Sequence, residues 1–240
     1  MGLFQRIFVA AILAGLISGA ALAALQQWRV VPLIIAAEAY ETAEPDAAHA
    51  EAGEVVAHVH DEDEWAPQDG FERTAYTVAA TLFAAIGFAL VLAAASVLTG
   101  IAVTPLNGVL WGLAGFAAFQ LAPSLGLPPE LPGMPAAEVL PRQIWWWGTA
   151  LATAAAIWGI ARFRNAAAII AGIVLVLAPH AIGAPQPEGA HDSDVPAHLA
   201  AGFAAASLFA GAGFWLLLGP LYGYVLERVG QRRAGVAVAA

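Results

Sequence analysis

The residues best equipped for chemistry in this 240-residue chain are its six histidines, which all lie in or beside segments rich in carboxylates. The densest group is His58-Val59-His60-Asp61-Glu62-Asp63-Glu64. In an extended segment His58 and His60 project to the same side, because alternate side chains do. Two imidazoles beside the Asp61 carboxylate suit a divalent first-row metal held in a loose, exchangeable site. The pattern fits equally a solvating acidic loop whose histidines are incidental. His180 stands apart, following Pro179 where an apolar run gives way to a Gly- and Pro-rich turn. An ionisable group at a membrane boundary needs a partner or a wet cavity. Glu38, Glu41, Gln120 and Glu188 can face the same mouth, and Glu38 and Glu41, three apart, share a face if their helix continues. The alternative for His180 is a headgroup-level histidine bonded to a carbonyl or to water.

Other chemistry is excluded by composition. There is no cysteine and no lysine, so thiolate sites, disulfides, Schiff bases and Walker-type phosphate loops are absent. A net charge of −9 opposes nucleic-acid binding, which needs basic surface. No catalytic constellation is present: there is no His-Glu-x-x-His, and the apolar segments carry no Asp, Glu, Arg or His near their centres. The expectation is a protein that is not an enzyme and has no cofactor.

The elements that must position these residues are membrane spans. Hydrophobic residues make up 60% of the chain and charged residues 11%, against roughly half and a quarter in soluble domains. Crossing a hydrocarbon core of about 30 Å takes about 20 mostly apolar residues. Six stretches qualify, near 5–28, 74–98, 104–122, 143–161, 166–183 and 199–226. The third and fifth are short, and the third, between Pro105 and Pro123, is expected to be irregular. The first could pass for a secretory signal ending at Ala21-Leu22-Ala23, but its apolar run exceeds the roughly 7–15 residues of a signal core. The fold class predicted is all-α: one polytopic domain, 1–240, of about six transmembrane helices.

Six arginines against three place both termini in the cytoplasm by the positive-inside rule, and 17 of the 18 acids then fall outside. Trp28 and Trp145-Trp146-Trp147 sit where an outer aromatic belt belongs. The first outer connection, 38–72, holds twelve acids and no base, a composition typical of disorder. The second, 123–141, has six prolines and reads as a stiff cap over the outer mouth. Within the spans, Gly15-x-x-x-Gly19, Gly108-x-x-x-Gly112 and Gly219-x-x-x-Gly223 permit close helix approach.

Several of these stretches also carry a family resemblance. Ala37-Glu38-Ala39-Tyr40-Glu41, Asp69-Gly70-Phe71-Glu72-Arg73-Thr74 and Trp111-Gly112-Leu113-Ala114-Gly115-Phe116 are among them, as is Leu121-Ala122-Pro123-Ser124-Leu125-Gly126-Leu127-Pro128-Pro129-Glu130-Leu131-Pro132-Gly133. With Arg142-Gln143-Ile144-Trp145-Trp146 and Pro179-His180-Ala181-Ile182-Gly183-Ala184-Pro185, they resemble the CbtA family of cobalt transporter subunits. The resemblance spans nearly the whole chain. It implies Co²⁺ as the transported ion, the bacterial inner membrane as the location, a link to cobalamin synthesis, and a small single-span companion subunit with a histidine-rich tail. It assigns no ligand. The His-x-x-x-x-Asp-His pattern of nickel/cobalt permeases does not occur.

The leading expectation is therefore a cobalt-uptake subunit in the lipid bilayer that captures the divalent ion at an acidic, His-bearing outer face. His180, Glu38, Glu41, His58, His60 and Asp61 are the candidate metal residues, and Gln120 and Glu188 are candidates for the pathway. The alternatives are a non-conducting capture or assembly subunit and a carrier of another small solute.

Overall fold

A computed structural model describes residues 2–41, 67–187 and 193–238, the side chains of Glu41 and of 231–238 excepted. Among these residues the chain is helical with no strand, and its helices form a polytopic membrane bundle. Helix α1 runs unbroken through Leu3–Leu25, a π-helical turn at Gln26–Val30, and Val31–Glu41. Helix α2 is Phe71–Thr99. Helix α3 comprises Gly108–Phe116, a second π-helical turn at Ala117–Leu121, and Ala122–Ser124. Helices α4, α5 and α6 are Val139–Phe163, Ala166–Ile182 and Ala197–Val238. By length and apolarity, Leu3–Tyr40, Phe71–Thr99, Val139–Phe163 and Ala197–Gly230 can each cross a membrane, whereas Gly108–Ser124 and Ala166–Ile182 are shorter. At 1.5 Å per residue the 38-residue first span reaches about 57 Å, so it projects well beyond a hydrocarbon core of about 30 Å. The expected boundary near residue 28 was too early: Pro32 lies inside the helix, which carries Glu38 clear of the apolar run.

Lipid tails are as apolar as leucine, so van der Waals packing and small residues, rather than the hydrophobic effect, bring helices together in a bilayer. Each glycine pair read from the sequence is used in this way. Gly15 and Gly19 of α1 press on Ile86, Ala85 and Leu82 of α2, where an added methyl would collide with backbone and side chain. Ala10, Ala11, Ala14, Ala85 and Ala89 fill the rest of that seam and are almost wholly buried.

Helices α3 and α6 meet as an antiparallel ladder with a glycine at every rung. Gly223 faces Thr104 and Pro105, Gly219 faces Gly108, Gly112 and Gly115 lie against Trp215, and Gly211 lies against Gln120. At the first two rungs the backbones touch. Gly112 likewise meets the Trp215 backbone, whereas at Gly115 and Gly211 a large side chain, the Trp215 ring and the Gln120 amide respectively, occupies the space that a missing Cβ leaves. Trp215 thereby joins an aromatic cluster, stacking on Phe119 at 5.8 Å and meeting Phe88 edge-on at 5.3 Å.

The hairpin of α4 and α5 turns at Arg164, which adopts the left-handed conformation (φ 50°), and Asn165 caps α5 by accepting from the Ala168 N–H at 2.8 Å. Gly172 is the one buried residue of α5, set against Ile160 of α4.

These contacts give the first expectation. Gly219→Ala forces a methyl into the Gly108 backbone and costs about 1–3 kcal/mol by overpacking, seen as a lower Tm in detergent. Gly159→Ala, in open space within α4, should hold Tm or raise it, since alanine is favoured over glycine in a helix by roughly 0.5–1 kcal/mol. Equal Tm values for the two variants would contradict the ladder.

Candidate functional site

The acidic end of the bundle gathers the N-terminal ends of α2, α4 and α6, the C-terminal ends of α1, α3 and α5, and the proline-rich connection. Three polar clamps hold it. Arg73 at the start of α2 binds both carboxylate oxygens of Glu38 on α1 and reaches Asp69 at 3.2 Å. Arg142 on α4 pairs with Glu130 of the proline-rich segment at 2.6 Å. In the same segment Leu131, buried, packs in a cluster with Val30, Ala37, Val195 and Phe203 from α1, the start of α6 and the loop before it.

The third clamp is His180. Its Nδ1 lies 2.8 Å from the carbonyl oxygen of Val176, and its Nε2 lies 3.0 Å from that of Ala122 at the end of α3. The Trp145 ring stands edge-on to the imidazole at 5.7 Å, and its Nε1–H donates to the Pro179 carbonyl at 3.0 Å. Val176 lies one turn back on the same helix, whereas the contact with Ala122 crosses to α3. The histidine therefore fastens the α4–α5 hairpin to α3. To ligate an ion it would first have to give up one of these contacts.

Inside the clamps lie two cavities that share Gln120. The outer one, of about 460 Å³, is lined by Gln120, Ser124, Glu130, Arg142, Gln143 and Ser207, with Phe119, Trp146 and Trp147 among its apolar walls. The inner one, of about 350 Å³, lies among α1, α2, α3 and α6 and contains Gln26, Thr81 and Gln120, with Phe88, Phe214 and Trp215 beneath them. The Thr81 hydroxyl donates to Gln26 Oε1 at 3.0 Å. Gln120 Oε1 is buried and, among the described residues, has no hydrogen-bond partner.

The backbone explains why these glutamines are here. Gln26 opens the π turn of α1, whose carbonyl receives the Val31 N–H. The carbonyl of Ala117 in the π turn of α3 likewise receives the N–H of Ala122. Each π turn is followed, one residue later, by a proline, Pro32 or Pro123. In a regular α-turn the proline ring would clash with the carbonyl four residues back and leave it unpaired. Widening the helix by one residue relieves that conflict, and such π-bulges gather at functional sites.

The sequence candidates are thus distributed unevenly. Gln120 lines both cavities. Glu38 and His180 lie at the same end but are bonded to Arg73 and to two carbonyls. Glu41 closes α1, its side chain outside the described residues, and His58, His60, Asp61 and Glu188 lie outside them altogether. Among the described residues no three His, Asp or Glu side chains converge as a metal site. Sequence reading missed Gln26, Glu130, Arg142 and Gln143. The usable signal for Glu130 and Arg142 was an arginine on an otherwise acidic face, which had to find a carboxylate.

The chain belongs to the CbtA family: the family model, described as "Probable cobalt transporter subunit (CbtA)", matches residues 4–227. No curated protein and no solved structure matches the chain. Membership makes it a membrane protein and a subunit of a transporter complex, which implies at least one partner, and it points away from an enzyme.

The latch gives the second expectation. His180→Ala removes both carbonyl contacts and leaves Trp145 without its ring neighbour, lowering stability by roughly 1–3 kcal/mol. A thermal melt in detergent checks it, and an unchanged Tm would show that the hairpin is held elsewhere.

Proposed function

With membership of the CbtA family as the premise, we propose that this chain is the membrane subunit of a Co²⁺ uptake system in the bacterial cytoplasmic membrane, with its acidic end outward and both termini inside. The observation that carries the reading is the family match over 4–227; the cavities supply a route. The twelve acids of 38–72 raise the local cation concentration, an effect that weakens with salt. His58, His60, Asp61, Glu41 and Glu188 make the first, exchangeable contacts. Glu130 is the carboxylate that reaches the outer cavity, where Arg142 competes with an arriving cation for it. Gln120 connects the mouth to the inner pocket.

One observation favours a second reading, a capture subunit that does not conduct. Beneath the inner pocket stand Phe88, Phe214 and Trp215, and beyond them α3 and α6 are in backbone contact. On the leading reading this closed half opens when the partner subunit engages, here proposed to be the small single-span, His-rich companion.

The test is uptake of radioactive cobalt by liposomes carrying the chain alone or with its companion. The leading reading expects uptake, at least with the companion present. It should fall severalfold in Glu130→Gln, and Arg142→Gln, which frees the carboxylate, should raise the apparent affinity for cobalt. Metal bound at the outer face with no uptake under either condition would leave only the capture role.

A further inference from the structure

Gln26, Thr81 and Gln120 form a polar patch in an otherwise apolar cavity, and their hydrogen bonding defines what it can receive. Thr81 commits its only proton to Gln26 Oε1, so the Thr81 oxygen can only accept from a ligand. Gln26 Oε1 retains one lone pair, and Gln120 Oε1 has no partner among the described residues. A buried acceptor left unmatched costs about 1–3 kcal/mol. Beside the amide N–H groups of the two glutamines, the patch thus offers three acceptor oxygens to a ligand that donates hydrogen bonds.

A bare divalent ion does not fit that description. Three neutral oxygens carry no charge to offset the loss of its hydration, and burying an unpaired charge costs several kcal/mol or more. Cobalt stripped of water would also favour imidazole, and among the described residues no histidine lines this cavity. A divalent ion that keeps its water shell does fit. Metal-bound waters are polarised donors, as the three acceptors require. Six waters at roughly 30 Å³ each need about 180 Å³, and the cavity offers about 350 Å³. Below it, Phe88, Phe214 and Trp215 close the cavity with apolar side chains.

We propose that the Gln26–Thr81–Gln120 pocket is a binding site for a hydrated divalent cation, which it recognises through the ion's coordinated waters rather than by direct ligation. The proposal rests on the cobalt-uptake reading for the identity of the ion and on the cavity for the mode of binding. Gly211 belongs to the site as a spacer, because a methyl there would overlap the Gln120 amide.

The probe is hexaamminecobalt(III), whose six ammines donate hydrogen bonds and do not exchange during an experiment. It is titrated into the full chain in lipid nanodiscs, at a salt concentration high enough to screen the exposed acids. The expected result is one saturable site, weakened at least tenfold by Gln26→Leu and by Gln120→Leu. Gln120→Glu should tighten it at least tenfold, a gain that misfolding cannot produce. No saturable binding, binding that ignores both leucine variants, or a glutamate variant that binds no more tightly than the parent would each overturn the site. Binding without cobalt uptake by the chain, with or without its companion, would keep the site and remove the transport reading; uptake without hexaamminecobalt binding would do the reverse.

Discussion

Everything above the midpoint of this bundle depends on how closely α3 and α6 approach below it. Backbone contact at Gly108 and Gly219, and again where Gly223 meets Thr104 and Pro105, leaves no space for a solute between these two helices. It also fixes the register of the two helices. Trp215 must then lie in the hollow beside Gly112 and Gly115, and Gln120 must lie against Gly211. The same ladder that closes one half therefore places the aromatic floor and the buried amide in the other. In lipid, where helices gain little from the hydrophobic effect, close packing of small residues is the means available for such an arrangement.

The polar features divide between holding and receiving. Arg73 with Glu38, and His180 with Ala122 and Trp145, join helix ends and use up the groups involved. Gln26, Thr81 and Gln120 line space instead, and Glu130 does both, since it pairs with Arg142 where the two line the outer cavity. Both π turns belong to the second group, and each stands just before a proline that a regular helix could not accommodate without losing a hydrogen bond. Gln26 opens one of these turns and Gln120 lies in the other, so the two irregular stretches carry the cavity's amides.

Much of the fold was legible because its causes are local. Apolar run length marks the six helices, and the three glycine pairs read at sequence level all mark contacts. Pro123 flagged α3 as irregular, and the π turn at Ala117–Leu121 is that irregularity. Pro32 held the same signal for α1 and was passed over, because the boundary drawn near residue 28 ended the span too soon. The site was less legible. Gln120 was noticed as a polar residue near a span end, but Gln26 gains its meaning only when α2 brings Thr81 beside it. The pairing of Glu130 with Arg142 likewise depends on the proline-rich segment folding back on α4. The histidines drew notice by residue type, yet His180 is engaged in holding the fold, the carbonyl-bonded alternative that the sequence had left open.

The central claim is a cavity open to the acidic side and sealed beneath. The chain contains no cysteine, so single cysteines can report on it without background. Ser207→Cys lines the outer cavity, and Leu218→Cys lies fully buried beneath the aromatic cluster. The decisive measurement is labelling of each in intact cells and in inverted vesicles by a membrane-impermeant thiol reagent. The account predicts that Ser207→Cys reacts from outside only, and more slowly when cobalt is present, while Leu218→Cys reacts from neither side. Reaction of Ser207→Cys from the cytoplasmic side alone, or ready reaction of Leu218→Cys, would contradict it.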